Sequence, residues 1–184
     1  MGSCKSRFYD EGSDLWFGDF NESDYFRIEE CDYYKRVLKH ESIKAVDCVL
    51  CRRSDSGMHI VFVEAKKNLY YGGKGYENKT SHIAKQFMDS LHLICGSWFS
   101  GEDAKINLPG GFAQYYQHHG QIVFTLVVKN CPKDELLLIE DALVAILKRE
   151  NLIWNIKIRA YDEELATEKS ILVPQNSRGV LYDR

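Results

Sequence analysis

Two acids and a lysine are the residues of this chain best placed to do chemistry: Asp47, Glu64 and Lys66. Glu64 and Lys66 stand two apart in Val63-Glu64-Ala65-Lys66, where the apolar run 58–63 ends. Positions two apart on a strand point to the same face. Asp47 belongs to an earlier apolar run, 43–51, on the other side of a polar turn. Acids and a lysine meeting at the ends of two adjacent strands suit a divalent cation, with the lysine set against a phosphate or a water. The plain alternative is an ion pair between Glu64 and Lys66 or neighbouring strands, with Asp47 a lone acid. Cross-strand pairs of that kind are common and contribute little.

The elements that must position these residues follow from periodicity. Runs 43–52 and 58–66 read as two strands joined at Ser54-Asp55-Ser56-Gly57, a hairpin signal. A helix over 81–98 buries Ile83, Phe87, Leu91, Ile94 and Trp98, with Thr80 or Ser81 as cap. Residues 100–120, rich in Gly and polar groups, read as a long loop. The continuous apolar run 121–129 predicts a central strand covered on both faces. A helix from Pro132 or Asp134 to about Arg149 follows, ended by Asn151. The alternation over 152–160 predicts an edge strand with Trp154, Ile156 and Ile158 inward. Residues 25–39 fit a helix or a strand equally. The expectation is one α/β domain over 21–173 with a mixed sheet flanked by helices. Residues 1–20 read as a loosely attached arm, docking through Trp16, Phe17 and Phe20, and 174–184 as a frayed tail.

Composition narrows the function. The 184 residues are 45% hydrophobic and 28% charged, ordinary for a single globular domain. No apolar run approaches the ~20 residues needed to span a bilayer, and the start of the chain lacks a signal-peptide core, so the expected location is the cytoplasm. A net charge of −3 argues against a non-specific nucleic-acid coat protein, which would be basic. Local charge differs: Lys66, Lys67, Lys74, Lys79 and Lys85 meet only Glu77 before Asp89, with Tyr70, Tyr71 and Tyr76 interleaved. Cations with flat aromatic faces suit a phosphate backbone and unstacked bases; a solvated Gly-rich loop is the competing reading. Gly72-Gly73-Lys74-Gly75 lacks the Gly-Lys-Ser/Thr ending of a phosphate-binding loop. Cys48 and Cys51 are spaced like a metal or redox pair, but three apart on a strand puts them on opposite faces. His118-His119 reads as polar loop.

An Asp on one strand, a turn, and Glu-x-Lys on the next resembles the PD-(D/E)xK signature of the restriction-endonuclease-like nuclease superfamily, with Val46 where the family has Pro. The wider pattern is Ile28-Glu29, Lys44-Ala45-Val46-Asp47 and Phe62-Val63-Glu64-Ala65-Lys66. It is similar to that of uncharacterised bacterial proteins of this fold, over about 25–173. The resemblance implies a core of helix, three strands, helix and strand. It implies Mg²⁺ or Mn²⁺ held by Asp47, Glu64 and the Ala65 carbonyl, with Lys66 orienting the attacking water or neutralising the transition state. A further acid is implied on the opening helix, Glu29 first and Glu30 next. Some branches place a Gln at the position of Gln86 with a Tyr four residues on; Ser90 stands there, and Gln86 is expected on a solvated helix flank. Substrate contacts fall to Lys67, Lys74, Lys79, Lys85, Tyr70 and Tyr71.

The first reading is therefore a Mg²⁺-dependent nuclease acting on DNA, in bacterial defence or repair, as a homodimer or with a partner protein. The alternatives are a non-catalytic binding or regulatory subunit of the same fold, and an interaction module unrelated to nucleic acid.

Overall fold

The computed structural model describes residues 5–54, 57–115 and 120–174. A mixed sheet of five strands forms its centre, in the order β3 (Tyr25–Phe26), β4 (Cys48–Ser54), β5 (Gly57–Lys67), β6 (Gln121–Lys129), β7 (Lys157–Tyr161). Neighbours β3, β4 and β5 are antiparallel, whereas β5, β6 and β7 run parallel. Helix α1 (Tyr76–Ser100) makes the crossover from β5 to β6, and α3 (Lys133–Ile146) with α4 (Lys148–Trp154) makes the next. No helix among the described residues is long and apolar enough to cross a membrane.

Alternation along β5 divides the interior in two. Met58, Ile60 and Phe62 face α1, whose Ile83, Phe87, Leu91 and Ile94 repeat at helical spacing and are fully buried. Phe124 on β6 stacks on Phe87 at 4.6 Å between ring centroids. Val61, Val63 and Ala65 face the other way, against the first hairpin and α5 (Glu163–Glu168). Cys48 falls in this second layer and Cys51 in the first, on opposite faces of the sheet as their spacing requires.

Several boundaries differ from expectation. Residues 5–21 are not a loose arm but an antiparallel hairpin of β1 (Lys5–Asp10) and β2 (Leu15–Asn21). Leu15 and Phe17 are fully buried, and Phe17 stacks on Phe8 at 4.7 Å. Residues 25–38 combine both readings: β3, a 3₁₀ turn at Ile28–Glu30, and a π-helical turn at Tyr34–Leu38. The first long strand starts at Cys48 rather than 43. Helix α1 starts five residues early, because burial of Tyr76 extends it; Thr80 donates to the Tyr76 carbonyl inside the helix instead of capping it. The supposed long loop holds α2 (Gly110–Tyr115), anchored by the fully buried Phe112. The third helix breaks at Leu147, resumes as α4 and ends at Asn155 in the left-handed region (φ 51°), so the edge strand begins at Lys157. The turn residues Asp55 and Ser56, the pair His118-His119 and the tail from 175 lie outside the described residues.

The packing of the hairpin on the sheet contributes to stability. Phe17→Ala is expected to lower the unfolding free energy by about 3–5 kcal/mol in urea titrations. A loss below about 1 kcal/mol, the size of a surface change, would return residues 5–21 to the status of an arm.

Candidate functional site

The site is built where β4 begins and β5 continues. Cys48 pairs with Val63, so Asp47 arrives beside Glu64 at a corner that β4 leaves open. Helix α1 fixes that approach through three bonds to the preceding backbone. Lys44 N–H donates to Asp89 Oδ2 at 2.8 Å, Val46 N–H donates to Ser90 Oγ at 2.9 Å, and Gln86 Nε2 donates to the Ala45 carbonyl at 3.1 Å. Ala65 N–H then donates to Asp47 Oδ2 at 2.6 Å. In an extended strand the N–H and C=O of one residue leave toward the same side. The Ala65 carbonyl therefore faces the same corner.

Glu64 and Lys66 continue the column Met58, Ile60, Phe62 beneath α1. Glu64 is 0% exposed, and the half-buried Lys66 ammonium donates to its Oε1. Glu64 Oε2 is buried without a hydrogen bond. Gln86 lies close enough to favour the charged carboxylate; its amide nitrogen donates to the Ala45 carbonyl, and its own Oε1 is unpartnered. Burial pushes Glu64 up to about 7; Lys66 and Gln86 pull against this, and Asp10 adds to it. Asp47 is raised well above the ordinary carboxylate range by burial, then by Glu64 and Asp10, against the Ala65 N–H and Lys66. Burial lowers Lys66, but Glu64, Asp47 and Asp10 outweigh it, and the ammonium is held more firmly than usual.

Asp47, Glu64 and the Ala65 carbonyl are the groups that could hold a cation. Among the described residues no three or more His, Cys, Asp and Glu side chains stand together as a metal cage. Mg²⁺ does not need one: it usually binds through one or two carboxylates and keeps waters or phosphate oxygens elsewhere. A buried carboxylate oxygen with no hydrogen bond, on a residue beside a second acid, fits such an ion.

The remaining expected residues divide. Lys67 and Lys79 join Lys66 around a cleft of about 360 Å³, with Leu69, Asn78 and His82. Lys67 also pairs with Asp14 at 3.7 Å. Lys85 is turned to Asp89 and the Ser42 carbonyl. Lys74, Tyr70 and Tyr71 are exposed on the turn before α1, and Tyr71 lines a separate groove of about 600 Å³ against α3. Glu29 is exposed, its charge bearing on the Tyr34 hydroxyl; no described contact joins it to Asp47 or Glu64. Glu30 pairs with Arg27. Gln86 is not on a solvated flank: it is 9% exposed and part of the site.

Sequence reasoning missed Asp10, His82, Asp89 and Ser90. Gln86, Asp89 and Ser90 at i, i+3 and i+4 share one helix face, a signal open to discovery. His82 lines the cleft one turn earlier, lowered by burial and by Lys66, Lys44 and Lys85. Asp10 gave no local signal. No family model, curated protein or solved structure matches this chain.

A raised carboxylic acid opposes folding as it ionises. The folded state holds the Glu64 proton up to about pH 7, whereas an ordinary glutamate releases it near 4.5. The destabilisation is absent below the lower value, grows between the two, and is complete above pH 7. With EDTA present, the thermal midpoint of Glu64→Gln minus that of wild type should therefore increase from pH 5 to pH 8. A difference independent of pH would show that Glu64 ionises normally.

Proposed function

We propose that this protein is a metal-dependent nuclease of the restriction-endonuclease-like fold, hydrolysing phosphodiester bonds, with DNA as the substrate. The observation that carries this reading is the fully buried Glu64, one oxygen unpartnered, beside the half-buried Asp47, with Lys66 between them and a cation-lined cleft. A stable core has no use for that combination. A metal and a phosphate would satisfy all of it.

The order of elements supports the reading. Strands β4 and β5, helix α1 and strand β6 follow one another in the order expected of that core, whereas β3 comes before the turns over 28–38, where an opening helix was expected. Asp47, Glu64 and the Ala65 carbonyl would hold Mg²⁺ or Mn²⁺. When bound, such an ion supplies a more acidic water and offsets charge at the phosphate.

The chain's own residues do the rest. Ala65 N–H and the bonds from α1 hold Asp47 toward Glu64. Lys66, on the Glu64 face and partly exposed, can swing its ammonium from Oε1 to a phosphate oxygen or a water. As a firmly protonated group it opposes the charge that develops there. Lys67, Lys79 and His82 line the adjoining cleft and would take backbone phosphates beside the scissile one. A role in bacterial defence or repair rests on the sequence resemblance alone.

Cleavage assays on linear, circular and single-stranded DNA and on RNA, with Mg²⁺, Mn²⁺ or EDTA, test the proposal. Metal-dependent cutting is expected to fall by about 100-fold or more in Lys66→Ala and in Glu64→Gln, with circular dichroism unchanged. No cutting by folded wild type would shift the reading to a binding subunit of the same fold. In binding measured on Glu64→Gln, Lys79→Ala should reduce the slope of log affinity against log salt by about 1. An unchanged slope would remove Lys79 from the substrate path.

A further inference from the structure

The turn between β1 and β2 is fastened to the ends of β5 and β6. Asp14 Oδ2 meets the Lys129 ammonium at 2.7 Å and the Lys67 ammonium at 3.7 Å. Lys129 also donates to the Asp14 carbonyl at 2.9 Å. Lys67 and Lys129 end β5 and β6, so the turn is clamped across the C-terminal ends of both parallel strands, next to Lys66.

Asp10 opens that turn. Its Oδ2 accepts from the Ser13 N–H and from Ser13 Oγ, both at 2.6 Å, which fixes the carboxylate. The charge of Asp10 bears on Asp47, on Glu64 and on Lys66 alike. The buried, donorless Oε2 of Glu64 marks the place where a cation would complete this group of acids.

We propose that Asp10 is a third acid of the site, carried in by the hairpin, which positions a water on the divalent cation held by Asp47 and Glu64. The inference rests on the metal-dependent reading above. Asp10 takes an outer position because the described acids form no direct three-ligand cage. A cation that keeps several waters needs such outer acceptors, and their loss typically weakens metal affinity by about 10–100-fold. Asp10 then does what Glu29 was expected to do, from the first hairpin instead of residues 25–39.

Calorimetric titration of Mn²⁺ into the full chain tests this, with thermal midpoints in EDTA as the folding control. Asp10→Asn is expected to weaken Mn²⁺ binding by about tenfold or more with an unchanged metal-free midpoint. Asp14→Asn, which weakens the clamp on the turn but keeps the Asp10 carboxylate and its bonds to Ser13, is expected to weaken it less. An Asp14→Asn effect equal to or larger than that of Asp10→Asn would reduce Asp10 to a turn residue and overturn the inference. Should Asp10→Asn fail to fold, Asp10→Glu keeps the charge one methylene further out; Mn²⁺ affinity is expected to fall, and unchanged affinity overturns the inference. If wild type binds Mn²⁺, Glu64→Gln does not, and Asp10→Asn binds as wild type does, the inference fails and the metal reading stands. If wild type binds no Mn²⁺, both fall.

Discussion

The burial of the Glu64 carboxylate is the constraint on which the rest of the site depends. It occupies the next place in a column of Met58, Ile60 and Phe62 where a leucine would pack against α1. Taking an ionised carboxylate out of water is costly unless a partner compensates. Lys66 donates to one oxygen, the nearby Gln86 offsets the charge only in part, and the other oxygen has no hydrogen bond. Asp47 beside it adds to the cost, since the charge of Glu64 raises it further above the ordinary carboxylate range. An arrangement of this sort opposes folding, and its cost is the physical reason to read it as a site rather than as packing.

Holding two such acids together requires rigid support, and α1 supplies it. The helix is anchored to the sheet by Ile83, Phe87, Leu91 and Ile94. From that fixed position Gln86, Asp89 and Ser90 bond the backbone of residues 44–46. Those bonds hold the chain away from the sheet until Cys48, which is why β4 starts late and Asp47 stands at a corner instead of within a ladder. A strand beginning at residue 43 would have carried Asp47 into register and covered the Ala65 carbonyl.

The sheet was legible in the sequence because its strands are long apolar runs with clear ends; the limits of β6 were as expected, and β7 lies at an edge as its alternation required. Asp47, Glu64 and Lys66 were legible as a group because they sit at those ends. The hairpin was not, since Leu15, Phe17 and Phe20 are interleaved with Gly and acids, and only docking on Val61, Val63 and Ala65 shows which face they bury. Helix α4 was misread because the Trp154, Ile156, Ile158 alternation crosses a helix end, where the left-handed Asn155 resets the backbone. Asp10 had no signal because its place in the site is set by ion pairs more than a hundred residues away in sequence, between Asp14 and Lys129.

The corner owes its shape to the change of strand direction at β5. Antiparallel β4 enters there and parallel β6 runs beside β5 to the end, Lys67 opposite Lys129. In open α/β sheets, crevices form at the carboxyl ends of strands where the connection changes direction. Here one side of β5 offers the incoming Asp47 and an unladdered peptide at Ala65, while the other offers two terminal lysines. Those lysines fasten the hairpin turn. Acids and bases thus gather at this corner from four separate stretches of chain, not because they pair best there but because the topology leaves it open. Ordinary packing would close such an opening with apolar side chains. Filling it with a buried acid, a second acid and a lysine exchanges stability for a place where a charged ligand can be held.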